Sequence, residues 1–203
     1  MTHGRRVEAV LVDLLMATMD SISTWSAAAD GAETGLAWRD AVTARMIEVG
    51  RYVPYVELVR AAAAELQLPR GAEDRLVNAW QAMEPWPDAT ALRGLAVPFA
   101  FGTNCSTELA RVAEGRSGLT PRFTLSAEEA GWYKPRPEIY RQAVERLGIP
   151  PDRVRFVAGA AYDARGALDA GLDAVLVRRR VTHETLPPKV RVVGSLHEAL
   201  TDA

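Results

Sequence analysis

Cysteine occurs once, as Cys105. One thiol excludes an intrachain disulfide and a zinc site built from several thiolates, and it fits a reducing compartment. No histidine stands at a recognisable spacing to activate it, so its expected role is that of a buried bystander. Long apolar runs are missing as well: no segment reaches the roughly 18 uninterrupted apolar residues needed to span a bilayer. Met1 to Thr18 has a basic start and an apolar continuation, as a signal peptide does, but Glu8 and Asp13 interrupt it and no clean small-residue cleavage site follows. Cytoplasm is the expected location. Neither charge is in excess, since 24 Lys+Arg stand against 26 Asp+Glu for a formal net charge of -2; nucleic acid and anionic membrane are not indicated as partners. A local basic run, Arg178-Arg179-Arg180, reads as a solvated loop. Internal repeats and low-complexity tracts are absent.

What is present is an ordinary globular composition, 48% hydrophobic and 25% charged over 203 residues, enough for one domain or one domain with a small insert. Val7 to Val12 is an apolar run ending in Asp13, short enough for a strand buried on both faces. From Ser21 to Leu92 no strand is evident. Helical spacing recurs there instead: Trp38, Val42, Met46 and Val49; Val56, Val59, Ala63 and Leu66; Leu76, Trp80 and Met83. Gly50, Pro54, Pro69-Arg70-Gly71 and Pro85-Trp86-Pro87 punctuate a helical insert of three to four helices. After Leu92, strands alternate with helices: strands at Ala96–Phe101, Phe123–Leu125, Val154–Ala158 and Ala174–Val177, helices at Ser106–Ala113, Pro137–Leu147, Tyr162–Ala170 and Leu196–Leu200. Such alternation predicts an α/β fold, a Rossmann-like parallel sheet with helices on both faces. The expected core is 1–17 with 93–203, and the expected helical cap is 18–92.

Parallel strands share one carboxyl edge, where open sheets bind ligands. Asp13 follows Val10-Leu11-Val12, Thr103-Asn104 follows Phe99-Ala100-Phe101-Gly102, and Asp163 follows Phe156-Val157-Ala158 after a short loop. Lys134 stands in Gly131-Trp132-Tyr133-Lys134-Pro135, ahead of a helix. Four polar groups from four segments can therefore meet at one edge. An ammonium beside a carboxylate favours its ionised, nucleophilic form, and the Thr103 hydroxyl with the Asn104 amide can orient a substrate. Other readings stand beside these: Asp13, Asp163 and Thr103-Asn104 as turn or helix caps, Lys134 as an exposed turn lysine, Tyr140 as a core residue.

This ordered set resembles the haloacid dehalogenase (HAD) superfamily from about Val7 to Val177, and within it the hydrolytic 2-haloacid dehalogenases. The resemblance extends to Tyr140, six residues beyond Lys134; to Tyr162-Asp163-Ala164-Arg165-Gly166-Ala167; and to Trp38-Arg39 ahead of Gly50-Arg51-Tyr52. It implies a HAD-like core with an inserted cap, and hydrolysis through an ester on Asp13, with Lys134, Asp163 and Thr103 assisting. Asn104 and Arg39, with Arg45 as the fallback arginine, would hold the departing halide. Backbone amides after Asp13 and around Thr103 would hold the substrate carboxylate, and Leu14, Leu15, Tyr140 and Tyr162 complete the substrate-binding set. A small molecule is the implied partner, and apolar cap helices leave a homodimer open.

The sequence departs from the pattern in two ways. Phosphatases of the superfamily place an acid two residues after the nucleophile and another four before the last aspartate; here these positions are Leu15 and Gly159. No cofactor is therefore expected, and magnesium, if used, would rest on Asp13 and Asp163 alone. Dehalogenases place Ser and Asn ahead of the last aspartate, where this chain has Ala158 and Ala160. A magnesium-dependent phosphatase and a catalytically degenerate binding protein stay open beside the dehalogenase reading.

Overall fold

The computed structural model describes residues 6–180, 185–201 and 203. The basic start of the leader-like stretch, and the parts of the expected core segments at 1–5, 181–184 and 202, lie outside the described residues. The chain runs β1 (Ala9–Asp13), α1 (Ser21–Ala28), α2 (Ala32–Val49), α3 (Tyr55–Glu65), α4 (Ala72–Ala79), β2 (Phe99–Thr103) and α5 (Thr107–Ser117). It continues through β3 (Thr124–Ser126), α6 (Ala127–Ala130), α7 (Pro137–Leu147), β4 (Val154–Ala158), α8 (Ala161–Asp169), β5 (Asp173–Val177), β6 (Arg191–Val193) and α9 (Leu196–Ala199).

The six strands form one sheet in the order β3-β2-β1-β4-β5-β6, parallel at every pairing. β1 lies at the centre and is buried along its whole length, which its unbroken aliphatic run requires. Its side chains alternate between two apolar clusters. Val10 and Val12 enter one, with Leu109 and Ala113 of α5 and Leu196 of α9. Ala9 and Leu11 enter the other, with Ile139 and Tyr140 of α7 and Ala164 and Ala167 of α8. Both faces are thus covered. Register places Asp13 beside Gly102 of β2 and Val12 beside Val157 of β4, so the polar residues that follow these strands emerge on one edge.

The insert between β1 and β2 packs on the first cluster rather than on a core of its own: Trp25, Trp38, Tyr55 and Leu76 belong to the same contiguous cluster as Val10, Val12 and Phe101. Trp38 of α2 is fully buried, donates its indole N–H to the Val59 carbonyl of α3 at 3.0 Å, and packs against Trp25 in a T-shaped arrangement with ring centroids 5.0 Å apart. These contacts join the first three helices of the insert.

The structure moves several expected elements. The second strand begins at Phe99, not Ala96, and reaches Thr103; Pro98 has no N–H to give a ladder and stays outside it. The stripe on α3 runs through Tyr55, Leu58, Val59, Ala62 and Ala63. Leu66, like Val49 at the end of α2, is exposed, because the helices end there. Trp80 and Met83 are buried but follow the end of α4. β6 and α6 were not foreseen; each has only three or four residues, too few to show a period. The Arg178–Arg180 run is not a freely solvated loop either. Arg179 donates to the Ala17 carbonyl at 2.6 Å and to both oxygens of Asp88 at 2.9 and 2.8 Å, and its guanidinium lies 5.1 Å over Trp86.

Candidate active site

Three segments bring their charges to one point. Lys134 Nζ donates to Asp13 Oδ1 at 2.8 Å, to Asp163 Oδ2 at 2.6 Å and to the Gly102 carbonyl at 3.0 Å, which uses all three of its protons. All three side chains are almost wholly buried. Lys134 is therefore no exposed turn lysine. Asp163 is no helix cap: α8 begins without a side-chain cap, and the second oxygen of Asp163 accepts the short hydrogen bond of the Tyr140 hydroxyl. Tyr140 combines both readings offered for it, buried against Phe156 and bonded to the site. Asp13 also combines both, since its Oδ2 accepts the Met16 and Ala17 amides at 2.9 and 3.1 Å. The chain winds there into a wide π-helical turn, Leu14–Thr18, a form that recurs at functional sites.

The trio carries two carboxylates and one ammonium, a surplus of one negative charge in a dry place. Burial works against the Lys134 ammonium, but Asp13 and Asp163 more than offset this and hold its pKa above the ordinary lysine value. Burial pushes the Asp163 carboxyl up, Lys134 draws it back and Asp13 pushes it up again, leaving it at about 6. Asp163 thus changes charge close to neutral pH.

Asn104 holds Lys134 from behind. Its Oδ1 accepts the Lys134 amide at 2.7 Å and its Nδ2 donates to the Lys134 carbonyl at 3.0 Å, so the side chain fixes the lysine backbone while still bordering the cleft. Gly166 lets this turn approach α8: a Cβ there would lie 2.6 Å from Pro135 Cβ and 2.8 Å from the Tyr140 hydroxyl. Thr103 departs from expectation. Its hydroxyl is 3.6 Å from Cys105 Sγ and does not border the cleft. The cap of α5 is Ser106, not Thr103-Asn104. Burial first of all pushes the Cys105 thiol up to about 12, as suits an inert core thiol.

Beside Asp13 opens a narrow cleft of about 40 Å³, lined among others by Leu15, Trp25, Arg39, Tyr55, Asn104 and Tyr162. Arg39 is the arginine that enters it; its side chain is 7% exposed. The fallback, Arg45, is excluded: it does not border the cleft and pairs with Glu65 of α3. Leu14 is likewise excluded, being a core residue with no exposed surface. The amides of Met16 and Ala17 already serve Asp13 itself, which removes them as donors to a substrate.

Tyr55 was missed as a site residue. It is 4% exposed, borders the cleft, and its hydroxyl has no protein hydrogen-bond partner among the described residues. The signal was available: Tyr55 begins the helix after Gly50-Arg51-Tyr52, three residues before Leu58 of the buried stripe. Val42 and Met46 also line the cleft; the periodicity that marked them as buried could not tell a core wall from a cleft wall.

Magnesium does not fit the residues present. Lys134 Nζ already bonds both carboxylates that the ion would share. A side chain at position 159 would put its Cβ 2.3 Å from Met16 Cβ and 2.5 Å from the Ala17 amide nitrogen, so a third carboxylate would displace the turn after Asp13. Among the described residues no group of three or more His, Cys, Asp or Glu side chains is placed to hold a metal ion. Octahedral magnesium needs more oxygen donors than this.

A parallel sheet in this order, with a carboxylate closing its central strand and a helical insert after it, is the frame of HAD-type hydrolases. The family model for HAD-hydrolase-like proteins matches residues 131–199. The (S)-2-haloacid dehalogenase 4A of Burkholderia cepacia is 33% identical over 135 residues, which is 64% of this chain and 57% of that protein. The (S)-2-haloacid dehalogenase 2 of Pseudomonas sp. strain CBS-3 is 29% identical over 83% of this chain and 81% of its own. A crystal structure of a dehalogenase with an intermediate complex superposes with a TM-score of 0.81 at 26% identity, covering 95% of each chain. In sequence and in fold the matches support the haloacid dehalogenase superfamily, with similarity to the 2-haloacid dehalogenases. It spans less than two thirds of the length of the first curated relatives it matches, 57% and 59%.

Proposed function

We propose that the protein hydrolyses a small 2-halo carboxylic acid through a covalent ester on Asp13, without a metal ion. The observation that carries the proposal is the buried lysine shared by Asp13 and Asp163, with Asp13 bordering an arginine-bearing cleft. A carboxylate oxygen of Asp13 attacks C2, the carbon–halogen bond breaks, and the halide leaves with the bonding pair toward Arg39 and the free N–H of Asn104. Water then attacks the ester carbonyl. Asp163, ionised above about pH 6, accepts the water proton, the 2-hydroxy acid departs and Asp13 is restored. Asp163 returns that proton to the departing 2-alkoxide and the remaining water proton is lost from Asp13 to solvent, while Lys134, charged throughout, stabilises the oxyanion formed at the Asp13 carbonyl. Leu15, Trp25 and Tyr162 supply the apolar wall for the substrate carbon.

Relatives described as (S)-2-haloacid dehalogenases support this reading. The phosphatase reading is weakened by the crowding at Gly159 and by Leu15, which cannot protonate an alkoxide. One observation favours a slower or non-catalytic protein: Ala158 and Ala160 leave the water-handling side of the site without side-chain hydrogen bonds, and α8 without a cap. A screen for halide and phosphate release, with and without magnesium, on wild type and Asp13→Asn, tests all three. Halide release that needs no magnesium and is lost in Asp13→Asn is the expected result. Phosphate release sensitive to chelator would sink the proposal, and so would an absence of turnover on any haloacid.

A further inference from the structure

Asp40 follows Arg39 on α2 and is bonded from two directions. Arg39 Nη1 donates to its Oδ1 at 2.7 Å. From the core, Arg180 on the loop after β5 grips both carboxylate oxygens, with Nη2 at 2.9 Å from Oδ1 and 3.1 Å from Oδ2, and Nη1 at 3.1 Å from Oδ2. The neighbouring Arg179 fastens that loop to the carbonyl of Ala17, in the turn whose amide at the same residue holds Asp13. A continuous path of hydrogen bonds and short backbone links therefore runs from the candidate nucleophile to the cleft arginine, through Ala17, Arg179, Arg180 and Asp40.

The charges along the path are complementary to the core. Arg39, Asp40 and Arg180 together carry one surplus positive charge, and Asp13, Lys134 and Asp163 one surplus negative charge, with Asp13 and Arg39 bordering one cleft. Arg39 lies on the insert and Asp13 on the sheet, so the distance between them depends on what ties the two together. Guanidinium–carboxylate pairing with two prongs fixes orientation as well as distance.

We propose that Asp40 and Arg180 are positioning residues that hold Arg39 over the cleft, so that anion binding at this site depends on a salt-sensitive link between insert and core. The inference rests on the proposed reaction to the extent that Arg39 touches the substrate or the halide. Asp40 is 48% exposed and Arg180 29% exposed on their side chains, so dissolved salt competes with this link far more than with the buried trio. A surface ion pair with no bearing on Arg39 would contribute to stability alone.

The test measures kcat and KM for 2-chloropropionate in wild type, Asp40→Asn, Arg180→Gln and Arg180→Lys, at low and high concentration of a non-halide salt. Calorimetry with the unreactive probe 2-hydroxypropionate runs in parallel. Expected for Asp40→Asn and Arg180→Gln is a rise in KM of about fivefold with kcat within about twofold, and a matching loss of probe affinity. Arg180→Lys, which keeps the charge but not the two-pronged grip, should fall between. Salt should raise the wild-type KM and leave that of Asp40→Asn nearly flat. Variants that match wild type in KM, probe affinity and salt response, while wild type is active, would overturn the inference and leave the reaction standing. A wild type that neither turns over the haloacid nor binds the probe would overturn the reaction, and the anion role of Arg39 with it.

Discussion

Two trios of charge each send one member to the cleft, Asp13 and Arg39, and they are built on opposite plans. In the core, two carboxylates surround one ammonium, with Lys134 and Asp163 side chains 1% and 2% exposed. On the insert side, two guanidiniums surround one carboxylate that is 48% exposed. The first is strong because water cannot replace any partner, and for the same reason it is costly to break. The second is weak, screened and adjustable. The proposed reaction rests its invariant chemistry on the first, and the proposed link gives the second the task of aligning the two halves of the site.

The contrast can be broken at its strongest point. Asp13→Asn should lower kcat by at least about 10³-fold, since an amide oxygen is a poor nucleophile; halide release measures this, and activity near wild type would end the distinction. Lys134→Met should come next. It leaves two buried carboxylates without a counter-charge and should destabilise the protein by about 3–5 kcal/mol at pH 7. Urea unfolding should also show a smaller loss at pH 5, where a proton can take the place of the lysine charge.

Titration sharpens the comparison further. Asp163 has its pKa raised from 3.8 to about 6, so the folded state binds its proton more tightly than the unfolded state between those values. Its stabilising contribution is complete below the unfolded value and is lost as pH rises through about 6. Activity runs the other way, because the ionised form is the base: kcat/KM should fall as pH drops through about 6. Tyr140→Phe removes a hydrogen bond that favours the ionised carboxylate and should move that acid limb upward. A limb that stays in place would detach Tyr140 from the chemistry.

Smaller effects are expected in the cleft wall and beyond it. Tyr55→Phe removes a hydroxyl at the cleft wall and should change KM by about threefold, with a direction that depends on whether the substrate offers an acceptor. Arg45→Ala touches only an exposed pair and should leave KM within about twofold of wild type.

Much of the core was legible in the sequence because apolar runs leading to Asp13, Thr103 and, across a short loop, Asp163 left little choice of strand direction or edge. The link from Lys134 to Asp13 was likewise implied once four polar groups had to share that edge. Legibility failed where a residue's partner came from far away in the chain, and where the path of a local turn decided which way a group faces. Nothing local to Asp40 announces Arg180, 140 residues later, and nothing local to Thr103 shows that its hydroxyl faces Cys105. Nor does the Leu14–Thr18 turn reveal that the amides after Asp13 serve Asp13 itself. The choice between Arg39 and Arg45 needed the helix phase: Arg39 follows buried Trp38 onto the cleft side, whereas Arg45 reaches Glu65 of α3.

The central claim, that Asp13 becomes an ester whose carbonyl is attacked by water, is most directly tested by a single turnover in ¹⁸O-labelled water. Enzyme in excess over 2-chloropropionate is allowed one cycle, then digested and weighed by mass spectrometry. The mechanism places the label in the carboxylate of the peptide containing Asp13 and leaves the first 2-hydroxypropionate formed unlabelled. Label in that first product, with Asp13 at its natural mass, would mean that water attacks the substrate carbon directly and would contradict the mechanism.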